Sequence, residues 1–242
     1  MLYLISIGLS DEKDMSIRAI ESAKRCDILF VEFYTTQLNT TVERLSKLIG
    51  KEIKELKRED LEEGSEKILT LAENKNVGIL VGGDALIATT HSSLLIDAKK
   101  RGIRTKIVHG SSIYTAVCST GLQIYKFGRT VTLPDFKAAS VVDAIKRNKR
   151  AGLHTLVLLD VKMNAKEGLK KLLDEKAITK EDKIIACCRL GSREEIIKYD
   201  KTENLLKNKE IEKMPGVLII PGRLHFKEEE ALSFFRYPKS NK

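Results

Sequence analysis

The sequence predicts an α/β protein of two lobes, and three observations carry that prediction. Apolar, β-rich runs alternate with amphipathic segments from the first residues onward. The alternation breaks at a glycine- and aromatic-bearing stretch, 121–134, and then restarts. At 242 residues the chain also exceeds the roughly 100–200 residues of a typical single domain.

The elements follow in order. A strand at 2–7 leads to a helix at 15–24, a strand at 28–32 and a helix at 42–49. A helix at 64–73, a strand at 77–81, a helix at 87–101 and a strand at 105–109 complete the first lobe, residues 1–110. The runs at 77–81 and 156–159 have the length of buried strands. The second lobe, residues 111–242, opens on a helical 111–118 and, past the aperiodic 121–134, places strands at 154–159, 183–188, 194–199 and 217–220. Its helices fall at 138–149, 165–174 and 227–235, and 237–242 reads as a frayed tail. Segment 194–199 follows Gly191-Ser192 closely enough for a hairpin, so this second sheet is expected to be mixed.

Composition excludes several classes. Hydrophobic residues make up 42%, which rules out disordered and collagen-like chains, and no apolar run approaches the ~20 residues of a membrane span. The opening strand lacks the basic and apolar regions of a leader, so the expected location is the cytoplasm. Cys26, Cys118, Cys187 and Cys188 form no C-x-x-C pair and the four histidines are scattered, so buried reduced thiols and no metal site are expected. The net charge of +9 mixes 43 Lys and Arg with 34 Asp and Glu along most of the chain and does not single out nucleic acid. The densest cluster, Lys146-Arg147-Asn148-Lys149-Arg150, is either a solvated helix end or a docking point for an acidic partner.

Three glycine-bearing turns follow strands, the place where α/β sheets hold ligands. Ile7-Gly8-Leu9-Ser10 lacks the full G-x-G-x-x-G pattern, which argues against a Rossmann dinucleotide site. Val81-Gly82-Gly83-Asp84-Ala85-Leu86 lets a ligand approach backbone and sets Asp84 at a helix start, as cap or as ligand contact. His109-Gly110-Ser111-Ser112-Ile113 again presents small polar residues and free backbone N–H groups. Together they indicate a binding cleft without naming its ligand.

Several blocks in order carry a resemblance along nearly the whole length: LYLISIGLSDEKDMSIRAIESAKRCDILFVEFYT, GDALIATTHSSL, HGSSIYTAVCSTGLQIYKFGRTVTLP, GLHTLVLLDVK and PGRLHF. In these the chain resembles the diphthine synthase family of the tetrapyrrole-methylase-like superfamily, and residues 120–128 separate that family from the porphyrin and corrin methylases. The resemblance implies a homodimer of two-lobed subunits that bind S-adenosyl-L-methionine in a cleft between the lobes. It implies stepwise methylation of the amino group of a modified histidine on translation elongation factor 2, in diphthamide biosynthesis. Carried over by position, the methyl-donor contacts are Leu9, Asp84, Ile87, Ser112, Ile113, Leu159, Cys188 and His225. Ala85 stands where the family commonly has proline, and the length matches compact archaeal-type members.

Glu32 and His91 are candidate general bases beside His225, and Glu32 is expected either to face the cleft or to pair with a cation. Tyr34 and Tyr125, with Phe33 and Phe127, are available to a methylated ammonium or to the core. Lys126 and Arg129 could meet a substrate carboxylate or simply face solvent. Membrane and direct nucleic-acid binding are not expected. The competing classes are a methylase of a corrin or porphyrin precursor and a non-catalytic basic module on RNA.

Overall fold

The computed structural model describes residues 1–236; the tail read at 237–242 lies outside them. The chain divides into two compact units, Met1–Ile113 and Tyr114–Lys242, each with its own five-stranded sheet.

The first unit runs β1 (Leu2–Gly8), α1 (Ile17–Lys24), β2 (Ile28–Glu32), α2 (Val42–Ile49), β3 (Lys54–Leu56), α3 (Arg58–Glu62), α4 (Ser65–Asn74), β4 (Val77–Gly82), α5 (His91–Lys100) and β5 (Thr105–Val108). Its sheet order is β3-β2-β4-β1-β5, and every neighbouring pair is parallel. Side chains alternate across a strand, and here both faces are covered. Leu2 and Leu4 enter the cluster with Leu69 and Leu94 of α4 and α5, while Tyr3, Ile5 and Ile7 enter the opposite one with Ala19 and Leu45 of α1 and α2. That is why the run at 77–81, in β4, is continuously apolar. From β1 the chain crosses over β4 to reach β2, and from β4 it crosses over β1 to reach β5. The loops after β1 and β4 therefore leave in opposite directions, the arrangement at whose carboxyl ends open α/β sheets hold ligands.

The second unit takes α6 (Ile113–Ala116), β6 (Val131–Leu133), α7 (Ala139–Arg150), β7 (Thr155–Leu159), α8 (Ala165–Asp174), β8 (Lys183–Cys188), β9 (Ile196–Lys201), α9 (Thr202–Leu205), β10 (Gly216–Ile220) and α10 (Phe226–Ser233). The order is β6-β7-β10-β8-β9, with β6 parallel to β7 and all other pairs antiparallel, which is the mixed sheet and the β8–β9 hairpin expected. Leu169 and Leu172 of α8 and Ile145 of α7 pack on Val157, Ile184, Ala186 and Leu218 to form its core.

Several boundaries differ from the sequence reading for local reasons. Short β3, β6, α3 and α9 go unread, since three to five residues carry too little periodicity to register. The helix read at 87–101 begins only at His91, because Ala88 takes a left-handed backbone (φ 58°) and breaks the turn. Helix α1 begins at Ile17, where Ser16 Oγ accepts the Ala19 N–H. Cys26, Cys187 and Cys188 are buried thiols as expected, whereas Cys118 is exposed.

Candidate functional site

In the first unit the turns after β1, β4 and β5 are tied into one edge. Gly8 and Gly83 exchange backbone hydrogen bonds, Gly83 N–H to Gly8 O at 2.7 Å and Gly8 N–H to Gly83 O at 3.2 Å. The buried Ser6 hydroxyl accepts the Ala85 N–H at 2.9 Å. A side chain at Gly8, whose φ is +104°, would bring its Cβ to 2.4 Å from Asp14 Cβ and 3.1 Å from Ser111 Oγ, so only glycine lets the three turns approach this closely.

Asp84 lies at their junction and is 5% exposed. Its Oδ2 accepts the Gly110 N–H (3.2 Å) and sits 2.8 Å from His109 Nδ1, while Oδ1 accepts the Leu86 N–H (3.1 Å). The carboxylate therefore does not cap a helix, which starts seven residues later; it clasps the β4 turn to the β5 turn. Beside it, the β1 loop is braced by a network that sequence reasoning missed. Arg44 reaches Glu12 Oε1 through Nη2 (2.7 Å) and Nε (3.1 Å), and the Thr40 hydroxyl donates to Glu12 Oε2 (2.7 Å). Asn39 N–H donates to Ser10 O at 2.7 Å, closing the same loop. Burial alone would raise the Glu12 pKa, but these partners hold it below the usual carboxylate range.

In the second unit a carboxylate gathers polar groups at one end of the sheet. Glu228 is fully buried at the start of α10. Its Oε1 accepts the Gln123 N–H (3.0 Å) and His154 Nε2 (3.0 Å), and its Oε2 accepts the His225 N–H (2.8 Å) and the Lys126 ammonium. The Gly222 N–H donates to His154 Nδ1 at 2.9 Å, so the imidazole proton is on Nε2 and the buried ring is neutral. Burial pushes the His154 pKa down, more strongly than Glu228 raises it. For Glu228 burial acts upward, yet the His225 amide, Lys126, the Gln123 amide and His154 outweigh it and take the carboxyl to about 2.

Residues 1–206 match the family described as Tetrapyrrole (Corrin/Porphyrin) Methylases. The chain is 37% identical over 239 residues to diphthine synthase of Archaeoglobus fulgidus, spanning 97% of this chain and 95% of that protein. It is 39% identical over 253 residues to diphthine synthase of Methanocaldococcus jannaschii, spanning 97% and 98%. The chain belongs to the diphthine synthase branch of the tetrapyrrole methylases. A crystal structure of diphthine synthase superposes on it with a TM-score of 0.93 at 38% identity, over 97% of this chain and 95% of that one.

The residues singled out by family position fall into separate groups. Leu9, Asp84, Ile87, Ser112 and Ile113 stand together at the carboxyl edge of the first sheet, with Asp84 and Ser112 buried and the three apolar side chains half-buried. In the second unit Leu159 and Cys188 end β7 and β8 beside the start of β10, whereas His225 follows the far end of β10. Leu158 pairs with Val217 and Thr155 with Ile220, so one strand length, about 3.3 Å per residue, divides them. Cys188 turns its thiol into the core toward Ile211 O, where burial pushes the pKa up to about 12, and so offers a ligand backbone alone.

Other candidates are occupied. Glu32 is 1% exposed and accepts the Thr35 N–H (3.0 Å) and hydroxyl, so it pairs with a turn, and among the described residues no cation pairs with it. His91, 2% exposed, directs Nδ1 at Ala85 O (3.2 Å), and its Nε2 is buried without a hydrogen-bond partner among the described residues. The Tyr34 ring packs on the core under the Arg58 guanidinium at 5.3 Å, and burial with nearby Glu32 and Glu62 pushes its phenol up to about 12. Lys126 is taken by Glu228 and by Arg223 O at 2.8 Å. Tyr125 (78%) and Arg129 are exposed. Of the groups that sequence reasoning passed over, Glu228 had a readable signal: His225-x-x-Glu228 has capping-box spacing.

The first-unit edge fits an adenosyl group. It combines glycine turns packed so that a Cβ at Gly8 or Gly110 would clash, open space around Gly83, and a buried carboxylate with an acceptor position to spare for a hydroxyl or ammonium.

Proposed function

We propose that this chain is an S-adenosyl-L-methionine-dependent N-methyltransferase of diphthamide biosynthesis. Its substrate is the amino group of the 3-amino-3-carboxypropyl-histidine of translation elongation factor 2, and its product is diphthine. The observation that carries the reading is the buried Asp84 carboxylate at the junction of three strand-end turns, in a chain that matches diphthine synthases almost end to end.

When bound, S-adenosyl-L-methionine supplies an electrophilic methyl carbon on a sulfonium. Asp84 and the Ser112 turn would hold the donor, and Leu9, Ile87 and Ile113 would exclude water from it; by family position His225, Leu159 and the Cys188 backbone would be its further contacts. Orientation of an amine lone pair in line with that carbon is the main requirement, and well-placed reactants gain effective molarities of ~10⁵ M or more. Glu32 and His91 support this from behind: the first fixes the 33–35 turn, the second the Ala85 carbonyl. Both are too buried to meet an incoming amine, so its proton leaves to water between transfers. Exposed Arg129 meets the substrate carboxylate and Tyr125 the growing ammonium. The enzyme works as a homodimer in the cytoplasm; no helix among the described residues is long and apolar enough to cross a membrane.

Mass spectrometry of elongation factor 2 carrying the modified histidine, incubated with enzyme and donor, tests this. Stepwise gain of methyl masses on that residue is expected. An unmodified factor, with donor binding intact, would refute the assignment.

A further inference from the structure

We infer that Glu228 is a positioning residue that holds the His225 turn and the 123–127 turn in the arrangement donor binding requires. The inference rests on the His225 contact proposed above. Four donors reach this carboxylate from three separate segments, two on each oxygen: Gln123 N–H and His154 Nε2–H on Oε1, His225 N–H and Lys126 on Oε2. A capping box needs only the His225 amide. The other three join α10 to the exposed Tyr125 turn and to the start of β7, and Lys126 adds a second tie through Arg223 O. Each lone pair is used, and no neutral side chain offers four acceptor positions in the same space. Glutamine would set an NH₂ group against both the Lys126 ammonium and the His225 amide and release that turn.

The alternative is a buried ion pair that stabilises the unit and nothing more. Titration calorimetry with S-adenosylhomocysteine separates the two, on wild type, Glu228→Gln, His225→Ala and the double variant, with melting temperatures alongside. Glu228→Gln is expected to weaken binding about tenfold. The double variant is expected to be no weaker than the worse single one, because both changes act through one contact. Amide hydrogen exchange at Gln123 and His225 is expected to rise in Glu228→Gln. Wild-type affinity in Glu228→Gln beside weakened binding in His225→Ala overturns the inference and leaves the His225 contact standing. Wild-type affinity in His225→Ala removes the contact, and the inference with it. Should Glu228→Gln fail to fold, Lys126→Met keeps the carboxylate and both amide donors while freeing the 124–126 turn. Its affinity is then expected to fall about threefold, and an unchanged value overturns the inference.

Discussion

Asp84 shows how far one residue can be read. Its place after Gly82-Gly83 marks it as a contact or a cap, but the partners it finds, Gly110 N–H and His109, are twenty-five or more positions away and carry no sequence signal. Because the carboxylate both clasps two turns and faces the proposed donor, charge and shape have to be separated. Asp84→Asn keeps one oxygen for the Gly110 N–H and His109 but sets its NH₂ against the Leu86 N–H, so S-adenosylhomocysteine affinity is expected to fall about tenfold, roughly 1.4 kcal/mol, with a modest fall in melting temperature. Asp84→Ala also strands the half-buried Gly110 amide, and chemical denaturation is expected to show an added loss of about 1 kcal/mol. Equal affinities for Asp84→Asn and wild type would remove the charge from donor binding. Glu32 and His91 teach the converse: residue type and position made both candidate bases, yet burial and their bonds to Thr35 and Ala85 give them supporting work.

At the scale of elements, legibility followed length and capping chemistry. Helix α8 was read at its observed bounds, and in the structure a capping box fixes its start: Asn164 accepts the Glu167 N–H (3.0 Å) while Glu167 returns a bond to the Asn164 N–H (2.9 Å). Asn164→Ala is expected to cost about 1 kcal/mol, measured by urea unfolding followed by circular dichroism, and no change would mean the cap is dispensable. The start of α5 was misread since the residues before His91 look helical in composition, while in the fold a tertiary bond from Ala85 N–H to Ser6 and a local one from Leu86 N–H to Asp84 hold the segment that leads into the left-handed turn at Ala88. The β1–α1 loop obeys similar constraints. Gly8→Ala is expected to destabilise by on the order of 2 kcal/mol or more, since the backbone there is left-handed and Asp14 Cβ occupies the space; a melting curve superimposable on wild type would contradict that packing.

For the whole molecule, acid response follows from the buried network of the second unit. His154 is held neutral, its pKa depressed below the ordinary 6.5, so the unfolded chain binds the extra proton first; its stability contribution is complete above about 6.5 and is lost as pH falls below that. Glu228 has the same sign lower down, from its ordinary 4.5 toward about 2. Melting temperature is therefore expected to drop between pH 7 and pH 5, and His154→Gln, which can still donate to Glu228, to flatten that part of the profile; an identical slope in the variant would place the titration elsewhere. The chain's own order of residues determined the α/β class, the apolar run of β4, the mixed second sheet and the family, because periodicity, turn residues and contiguous blocks are local and survive in one dimension. Only the folded chain decided that Asp84 clasps two turns, that Lys126 serves Glu228 instead of solvent, and that Leu159 and Cys188 stand a strand length from His225. Those outcomes depend on strand order, register and burial, which bring residues together across gaps that no spacing along the sequence encodes.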